Sequence, residues 1–359
     1  DPYKYCNEDY EKKTVGKNEF QDLVLDMAKK SIVLLKNDNN LLPLKKSGQK
    51  IALIGALAND KTSPLGNWRI AADDNSAVSV LEGLQKYNGN QLTYKKGADV
   101  AIGTTLFVKE TKINTTDKSE FAAAIEAAKN ADVVVMVLGE HGLQSGEGRS
   151  RSEIGLPGVQ QELLEEVYKV NPNIVLVLTN GRPLAIPWAA KNIPAIVEAW
   201  QLGTQSGNAI AEVLYGDYNP SGKLPVTFPR SVGQLPLYYN HMSTGRPSTN
   251  DPESVFWTHY IDEKTSPQFP FGYGLSYTTF DYSDITANTT SAKDSDEITI
   301  NVKVKNTGKI AGKEVVQLYV HEQESEVSRP ENELKHFEKV SLLPGEQKTV
   351  SFKLTSRDF

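Results

Sequence analysis

The residues "ADVVVMVLGEHGLQSGEGRSRSEIGL" (131–156) decide the fold, because an unbroken apolar run leads directly into a polar loop that is rich in glycine. The run 132–139 shows no polar alternation, which predicts a strand that is buried on both faces. Further strands are predicted at 31–37, 50–57, 173–181 and 195–200. Buried strands of this kind occur in sheets whose two faces are covered by helices.

Helical segments alternate with these strands. They span 18–30, 119–131, 156–171 and 207–216. The first has apolar residues at i, i+3, i+4 and i+7, namely Phe20, Leu23, Val24 and Met27. Ser119 is the expected N-cap of the second, Pro157 lies near the first turn of the third, and Gly216 ends the fourth. The expected inner face of the third helix comprises Leu156, Val159, Leu163, Val167 and Val170. This alternation predicts an α/β fold, a mostly parallel sheet flanked by helices.

The composition changes at about residue 217. A Pro- and Gly-rich extension follows, and its aromatic residues (Trp257, Phe271 and Tyr273) indicate that it is packed on the α/β part. After residue 282 only alternating strand patterns and turns occur, as in "EITINVKVKN" (297–306). They predict an all-β, immunoglobulin-like sandwich. We therefore distinguish an α/β sandwich domain (18–282) from a β module (283–359), which we expect to be truncated because it has only four or five strands.

Composition narrows the function classes. The 359 residues suffice for two or three domains, and the formal net charge is −6. An acidic chain is a poor partner for nucleic acid, because phosphate binding requires a basic face. No apolar run reaches the roughly 20 residues of a membrane span. Cys6 is the only cysteine, and no spacing of Cys and His residues indicates a metal, so we expect neither metal nor cofactor.

Ligands in open α/β sheets bind at the carboxyl ends of the strands. The loops 63–74, 139–156 and 180–188 lie at such positions. None carries a glycine motif for nucleotide phosphates, and none carries the G-x-S-x-G turn of serine hydrolases. Carboxylates therefore remain as the candidate catalytic groups.

Glu147 is the first candidate, since Gly146 and Gly148 would let its loop hinge and approach a ligand. Arg149 and Arg151 would lower the pKa of Glu147, whereas a bound sugar that excludes water would raise it. A raised pKa is what a general acid for glycoside cleavage requires. The same residues also fit a solvated loop with surface ion pairs, and no second carboxylate stands out. Both interpretations stay open on the pattern alone.

Three other side chains have two interpretations each. Trp68 in "GNWR" could stack on a sugar ring or simply pack on the domain surface. His141 could orient a carboxylate or a sugar hydroxyl, or merely end the strand. Arg182 in "NGRP" is expected to bond loop carbonyls near the strand end rather than a substrate.

Longer stretches carry a family resemblance. They are "LLKNDNNLLPL" (34–44), "SGEGRSR" (145–151), the run from "EAWQLG" (198–203) to "LPVTFP" (224–229), and "FPFGYGLSYTTF" (269–280). They resemble the C-terminal part of family 3 glycoside hydrolases, most closely β-glucosidases of the bacterial periplasmic type. "SRPENELKHFEKVSLLPGEQKTVSF" (328–352) is similar to the fibronectin-III-like module of that family.

The resemblance implies a three-part enzyme: an N-terminal (β/α)8 barrel that holds an aspartate nucleophile, an α/β sandwich, and the fibronectin-III-like module. Residues 1–17 would then be the linker from a barrel that this chain lacks. By motif, Glu147 would be the acid/base, whereas Glu140 and Glu153 match less well. Trp68 would form part of the +1 subsite, and His141 and Arg149 are the other substrate-binding candidates.

The implied activity is hydrolysis of terminal non-reducing β-D-glucosyl residues with retention of configuration, in a periplasmic or secreted protein. The expected partners are a β-glucoside or oligosaccharide and the missing barrel, and a homodimer remains open. The alternative is a non-catalytic carbohydrate-binding or interaction module. The sequence does not identify the sugar.

Overall fold

A six-stranded sheet forms the centre of the α/β part in a computed structural model that describes residues 1–69, 72–247 and 253–359, apart from the side chain of Pro2. The strands are β1 (Val33–Asn37), β2 (Ser47–Ile54), β3 (Gly89–Lys95), β4 (Val133–Gly139), β5 (Ile174–Thr179) and β6 (Ala195–Glu198). Their order is β1-β6-β5-β4-β2-β3. All neighbours are parallel except β1 and β6, which confirms the mostly parallel sheet.

Helices cover both faces of this sheet. They are α2 (Asn18–Ser31), α3 (Val80–Gln85) and α7 (Ser206–Leu214) on one face and α4 (Phe121–Lys129), α5 (Gln160–Val170) and α6 (Pro187–Asn192) on the other, whereas α1 (Glu8–Thr14) has no buried residue. Every residue of β4 is buried, as the apolar run predicts. Its side chains alternate between two cores, with Val135 and Val137 in one and Val134, Met136 and Leu138 in the other. Each such side chain contributes about 1.5–3 kcal/mol by leaving water.

The apolar stripe of α2 is the main departure from the sequence pattern. The helix is present, but Phe20, Leu23 and Met27 are 40%, 60% and 68% exposed. The helix packs on the core through Ala28 and Leu25 instead. The periodicity predicted the helix correctly, and the described part of this chain leaves most of its apolar stripe exposed.

Two helix starts also differ from the prediction. Ser119 is not an N-cap, because α4 begins only at Phe121 and Glu120 occupies the N-cap position. Pro157 precedes α5, which begins at Gln160. The inner face of α5 is as expected except for Val170, which is exposed at the helix end. The short helices α1, α3 and α6 were missed, since short elements carry little periodicity, and strand β3 was missed as well.

The extension after residue 217 packs against the α/β part. The backbone N–H of Phe228 donates to the Phe269 carbonyl (2.9 Å), and both side chains are buried in one of the two cores. Leu275 pairs with Leu34 and so covers the outer edge of β1.

The β module contains five strands in two sheets: β7 (Phe280–Ala287), β8 (Ile298–Asn306), β9 (Gly312–Val320), β10 (Glu333–Leu342) and β11 (Gln347–Leu354). One sheet has the order β11-β8-β7, and the other pairs β10 with β9. Their shared core consists of Val304, Val316, Val340, Leu342, Val350 and Phe352. Strand β7 begins at Phe280, two residues before the predicted boundary at residue 282.

Within the described ranges no helix is long and apolar enough to cross a membrane.

Candidate active site

The three loops predicted to carry a site meet at the carboxyl edge of the sheet. The N–H of Gly142 donates to Ser63 Oγ (2.9 Å), which joins the loop after β4 to the loop after β2. Gly181 approaches Ser145 so closely that a Cβ at Gly181 would lie 2.0 Å from Ser145 Oγ. The loop after β5 is thereby joined as well. Residues 70 and 71 of the first loop lie outside the described residues.

Glu147 lies at the exposed tip of the loop after β4. Its turn is closed by the N–H of Arg149, which donates to the Gly146 carbonyl (3.2 Å). Within the described ranges no side chain forms a hydrogen bond or ion pair with Glu147. The ion pairs expected of a merely solvated loop are therefore not made by this carboxylate, which is free to meet a ligand.

An aromatic surface adjoins this turn. Trp68 is 63% exposed, and the centre of its ring lies 6.3 Å from that of Phe107. The guanidinium of Arg149 lies over the Phe107 ring (5.7 Å) and donates a hydrogen bond to the Phe107 carbonyl. Arg149 thus fixes the aromatic surface to the loop of Glu147. Sequence reasoning missed Phe107, although the apolar "LFV" (106–108) inside a polar loop was a usable signal.

His141 is half-buried at the base of the loop. Its Nδ1 accepts the N–H of Leu143 (3.2 Å), and its backbone N–H donates to Gln144 Oε1 (2.8 Å). Burial lowers the pKa of His141, and the positive charges of Arg69 and Arg149 add to this against the carboxylate of Asp60. The imidazole is therefore neutral near pH 7 and carries its proton on Nε2.

A buried ionic group lies beneath the loop. The Glu140 side chain is fully buried, and its Oε1 lies 2.8 Å from Arg151 Nη1 and 2.9 Å from Arg182 Nε. Arg182 also donates to the carbonyls of Gln144 and Arg149, so the expectation that it bonds loop carbonyls is confirmed. With two guanidinium groups on its carboxylate and no access to solvent, Glu140 cannot meet a substrate.

Glu198 is a second buried carboxyl group at this edge, at the end of β6. Its Oε1 accepts the N–H of Trp200 (2.8 Å) and its Oε2 accepts from Asn180 Nδ2 (3.2 Å). Burial raises the pKa of Glu198 to about 8, and the nearby charge of Glu140 adds to the effect. Glu198 is therefore protonated at neutral pH. The sequence signal was present, because a glutamate interrupts the apolar "AIVEAW" (195–200).

The backbone conformation and the close packing at position 146 require a glycine. Its φ is +122°, and a Cβ would lie 2.1 Å from Nδ2 of the buried Asn67. Gly146→Ala should therefore lower the free energy of unfolding of this chain by about 1–3 kcal/mol. Gly148→Ala is the matched control, since Gly148 also has a positive φ (+68°) but a Cβ there would meet nothing within 4 Å. Urea unfolding of both variants measures the difference, and equal losses would contradict the argument.

The sequence profile described as "Glycosyl hydrolase family 3 C-terminal domain" matches residues 32–277, and the profile described as "Fibronectin type III-like domain" matches residues 314–359. This chain therefore belongs to glycoside hydrolase family 3. The resemblance seen in the sequence is thereby confirmed, as is the order of an α/β part and a β module.

Individual relatives agree with this assignment. A periplasmic β-glucosidase of Salmonella typhimurium is 45% identical over 336 residues, which are 91% of this chain and 44% of that protein. A β-xylosidase of Formosa agariphila is 41% identical over 357 residues, which are 96% of this chain and 46% of that protein. A crystal structure of a β-glucosidase from Listeria innocua in complex with isofagomine superposes with a TM-score of 0.89 at 36% identity, and the match covers 99% of this chain and 47% of that one. This chain thus spans less than half the length of these relatives.

Proposed function

We propose that this chain supplies the acid/base carboxylate, Glu147, to a retaining β-glucosidase whose nucleophile is in the other part of the protein. The observation that carries the proposal is the exposed Glu147, unpaired among the described side chains, on a glycine-flanked turn beside Trp68 and Phe107. Family membership supports it, since both named curated relatives are glycosidases by name. It also accounts for the lack of a second candidate carboxylate in this chain.

The chemistry follows from a split pair of carboxylates. In the first step the aspartate of the barrel bonds to the anomeric carbon, the bond to the leaving oxygen breaks, and that oxygen takes the proton of Glu147. In the second step water attacks the anomeric carbon, the ester bond to the aspartate breaks, and Glu147 takes the proton of the water. Two inversions give net retention. Trp68, with Phe107 beside it, would stack against the departing sugar, and His141 and Arg149 hold the loop that carries Glu147.

The remainder of the protein would dock on the side of α2. A groove of roughly 780 Å³ runs from Val24 and Met27 on α2 to Gly181, Arg182 and Trp200 at the site. Met27, an exposed apolar side chain of α2, lines one side of this groove, and an exposed apolar surface of this kind normally marks a contact surface. The relatives are about twice as long as this chain, so a barrel of the same protein is the occupant we propose.

The sugar we propose is glucose, because the named Salmonella and Listeria relatives are β-glucosidases. The named Formosa relative is a β-xylosidase, so xylose is the competing sugar to test. A periplasmic or secreted location is proposed from the Salmonella relative, which is periplasmic by name.

Proton NMR of the full-length protein acting on aryl β-glucoside and β-xyloside tests these proposals. We expect faster turnover of the glucoside and β-glucose as the first anomer released. The present chain alone is the control and should show no turnover, since it lacks the nucleophile. Release of the α anomer first would contradict the retaining mechanism. Binding of sugars without any turnover by the full-length protein would instead support a non-catalytic module.

A further inference from the structure

Arg182 bonds to both ends of the turn that carries Glu147. Its Nη2 donates to the Arg149 carbonyl (2.7 Å) on one side of the turn and to the Gln144 carbonyl on the other side. One guanidinium therefore sets the distance between the two residues that flank the segment 145–148. A planar group with several fixed donors can do this, whereas a lysine ammonium lacks the fixed geometry.

Glu140 in turn fixes Arg182. The Glu140 carboxylate is fully buried, and its Oε1 lies 2.9 Å from Arg182 Nε in an ion pair that is not aligned as a hydrogen bond, while Arg151 Nη1 donates a hydrogen bond to the same oxygen (2.8 Å). The second nitrogen of Arg151, Nη2, donates to the Gly155 carbonyl (3.0 Å), which lies beyond the turn. The two arginines thus share one carboxylate, but only Arg182 connects that carboxylate to both ends of the turn.

We propose that Glu140 and Arg182 are positioning residues, which hold Glu147 at the place where it transfers its proton. The inference rests on the proposed role of Glu147. A buried ion pair contributes little to stability relative to apolar packing, so its rigidity is the property that a catalytic loop can use. A small displacement of a catalytic group costs up to about 100-fold in rate.

The test compares Arg182→Lys with Arg151→Lys in the full-length enzyme. Both substitutions disturb the same buried carboxylate, but only the first releases the turn. With Arg182→Lys we expect kcat/KM to fall by about 10- to 100-fold for a β-glucoside with a poor leaving group. We expect it to be nearly unchanged for a dinitrophenyl β-glucoside, whose departure needs no proton. Arg151→Lys should lower both values by the same factor or leave both unchanged.

Amide hydrogen exchange of this chain gives a second readout that does not depend on activity. Arg182→Lys should speed exchange of the Arg149 amide, which closes the turn, and Arg151→Lys should not. If Arg182→Lys does not fold, Glu140→Gln replaces it in both experiments, because glutamine keeps the shape of the side chain and removes the charge that pairs with Arg182. A loss that is equal for both leaving groups, with unchanged exchange, overturns the inference. If Glu147→Ala itself shows no dependence on the leaving group, the proposed function fails instead.

Discussion

Glu147→Ala in the full-length protein is expected to lower kcat/KM for a β-glucoside with a poor leaving group by about 10²- to 10⁴-fold, the usual contribution of a general acid. For a dinitrophenyl glucoside, kcat/KM should change little, because that leaving group departs without a proton. Its kcat should still fall, since no base remains to activate water in the second step. Steady-state kinetics with aryl β-glucosides of graded leaving-group ability measures all three effects.

Azide gives an independent readout on the same variant. It needs no general base, so it should attack the glycosyl-enzyme, displace the aspartate carboxylate and restore kcat, with β-glucosyl azide as the product. Glu153→Ala is the matched control, because Glu153 is an exposed glutamate of the same loop region. It should behave like the unsubstituted enzyme. An unchanged rate with every substrate in Glu147→Ala would remove Glu147 from the mechanism.

Glu198→Gln is expected to change how stability depends on pH. The pKa of Glu198 is raised from 4.5 to about 8, so the folded chain retains a proton that the unfolded chain releases between these values. Stability of the unsubstituted chain therefore falls as the pH rises from about 4.5 to about 8 and then levels off. The full loss is on the order of 5 kcal/mol. Glutamine keeps the shape of the side chain but does not titrate. The free energy of unfolding of the variant, relative to that of the unsubstituted chain, should therefore rise as the pH increases from about 4.5 to about 8, as measured by urea unfolding.

Glu82 is the control for Glu198, because its pKa is lowered in the folded chain whereas that of Glu198 is raised. The pKa of Glu82 is lowered by its hydrogen bond with Lys61 and by the Ser79 backbone at the start of α3. Its contribution is present above its ordinary pKa of 4.5 and is lost as the pH falls. Glu82→Gln should therefore lower stability by a constant amount from pH 5 to about 8, and the difference from the unsubstituted chain should shrink only in acid. Glutamine also keeps the capping box of α3. A difference between Glu198→Gln and the unsubstituted chain that stays constant from pH 5 to about 8 would show that Glu198 is not a buried neutral acid.

The sequence predicted the sheet well because its strands are buried on both faces. An unbroken run such as 132–139 has few alternatives, and the alternation with helices then sets parallel pairing. Strand β3 was missed because it lies at the sheet edge, where burial alternates and the segment "GNQLTYK" is mostly polar. The exposure of the apolar face of α2 could not be predicted from the pattern either. Periodicity shows that one face is apolar, but it does not show which molecule covers that face.

The candidate site was predictable only in part. Glycines on both sides of Glu147 and the position of the loop after β4 pointed to the edge of the sheet where the three loops meet. The roles of Glu140 and Glu198 depend on burial and on contacts between different loops, and neither can be read from local spacing. Phe107 approaches Trp68 from a loop far away in the sequence, so only the folded chain brings the two rings together.

The exposed side chains on α2 have a practical consequence for work with this chain by itself. Phe20, Leu23 and Met27 would be bare to water, and a net charge of −6 spread over 359 residues opposes self-association only weakly. Charged residues at these positions would improve solubility in isolation. The same changes would weaken the contact that we propose between α2 and the barrel. At this helix, substitutions that make the isolated chain more soluble would therefore make the full-length protein assemble less well.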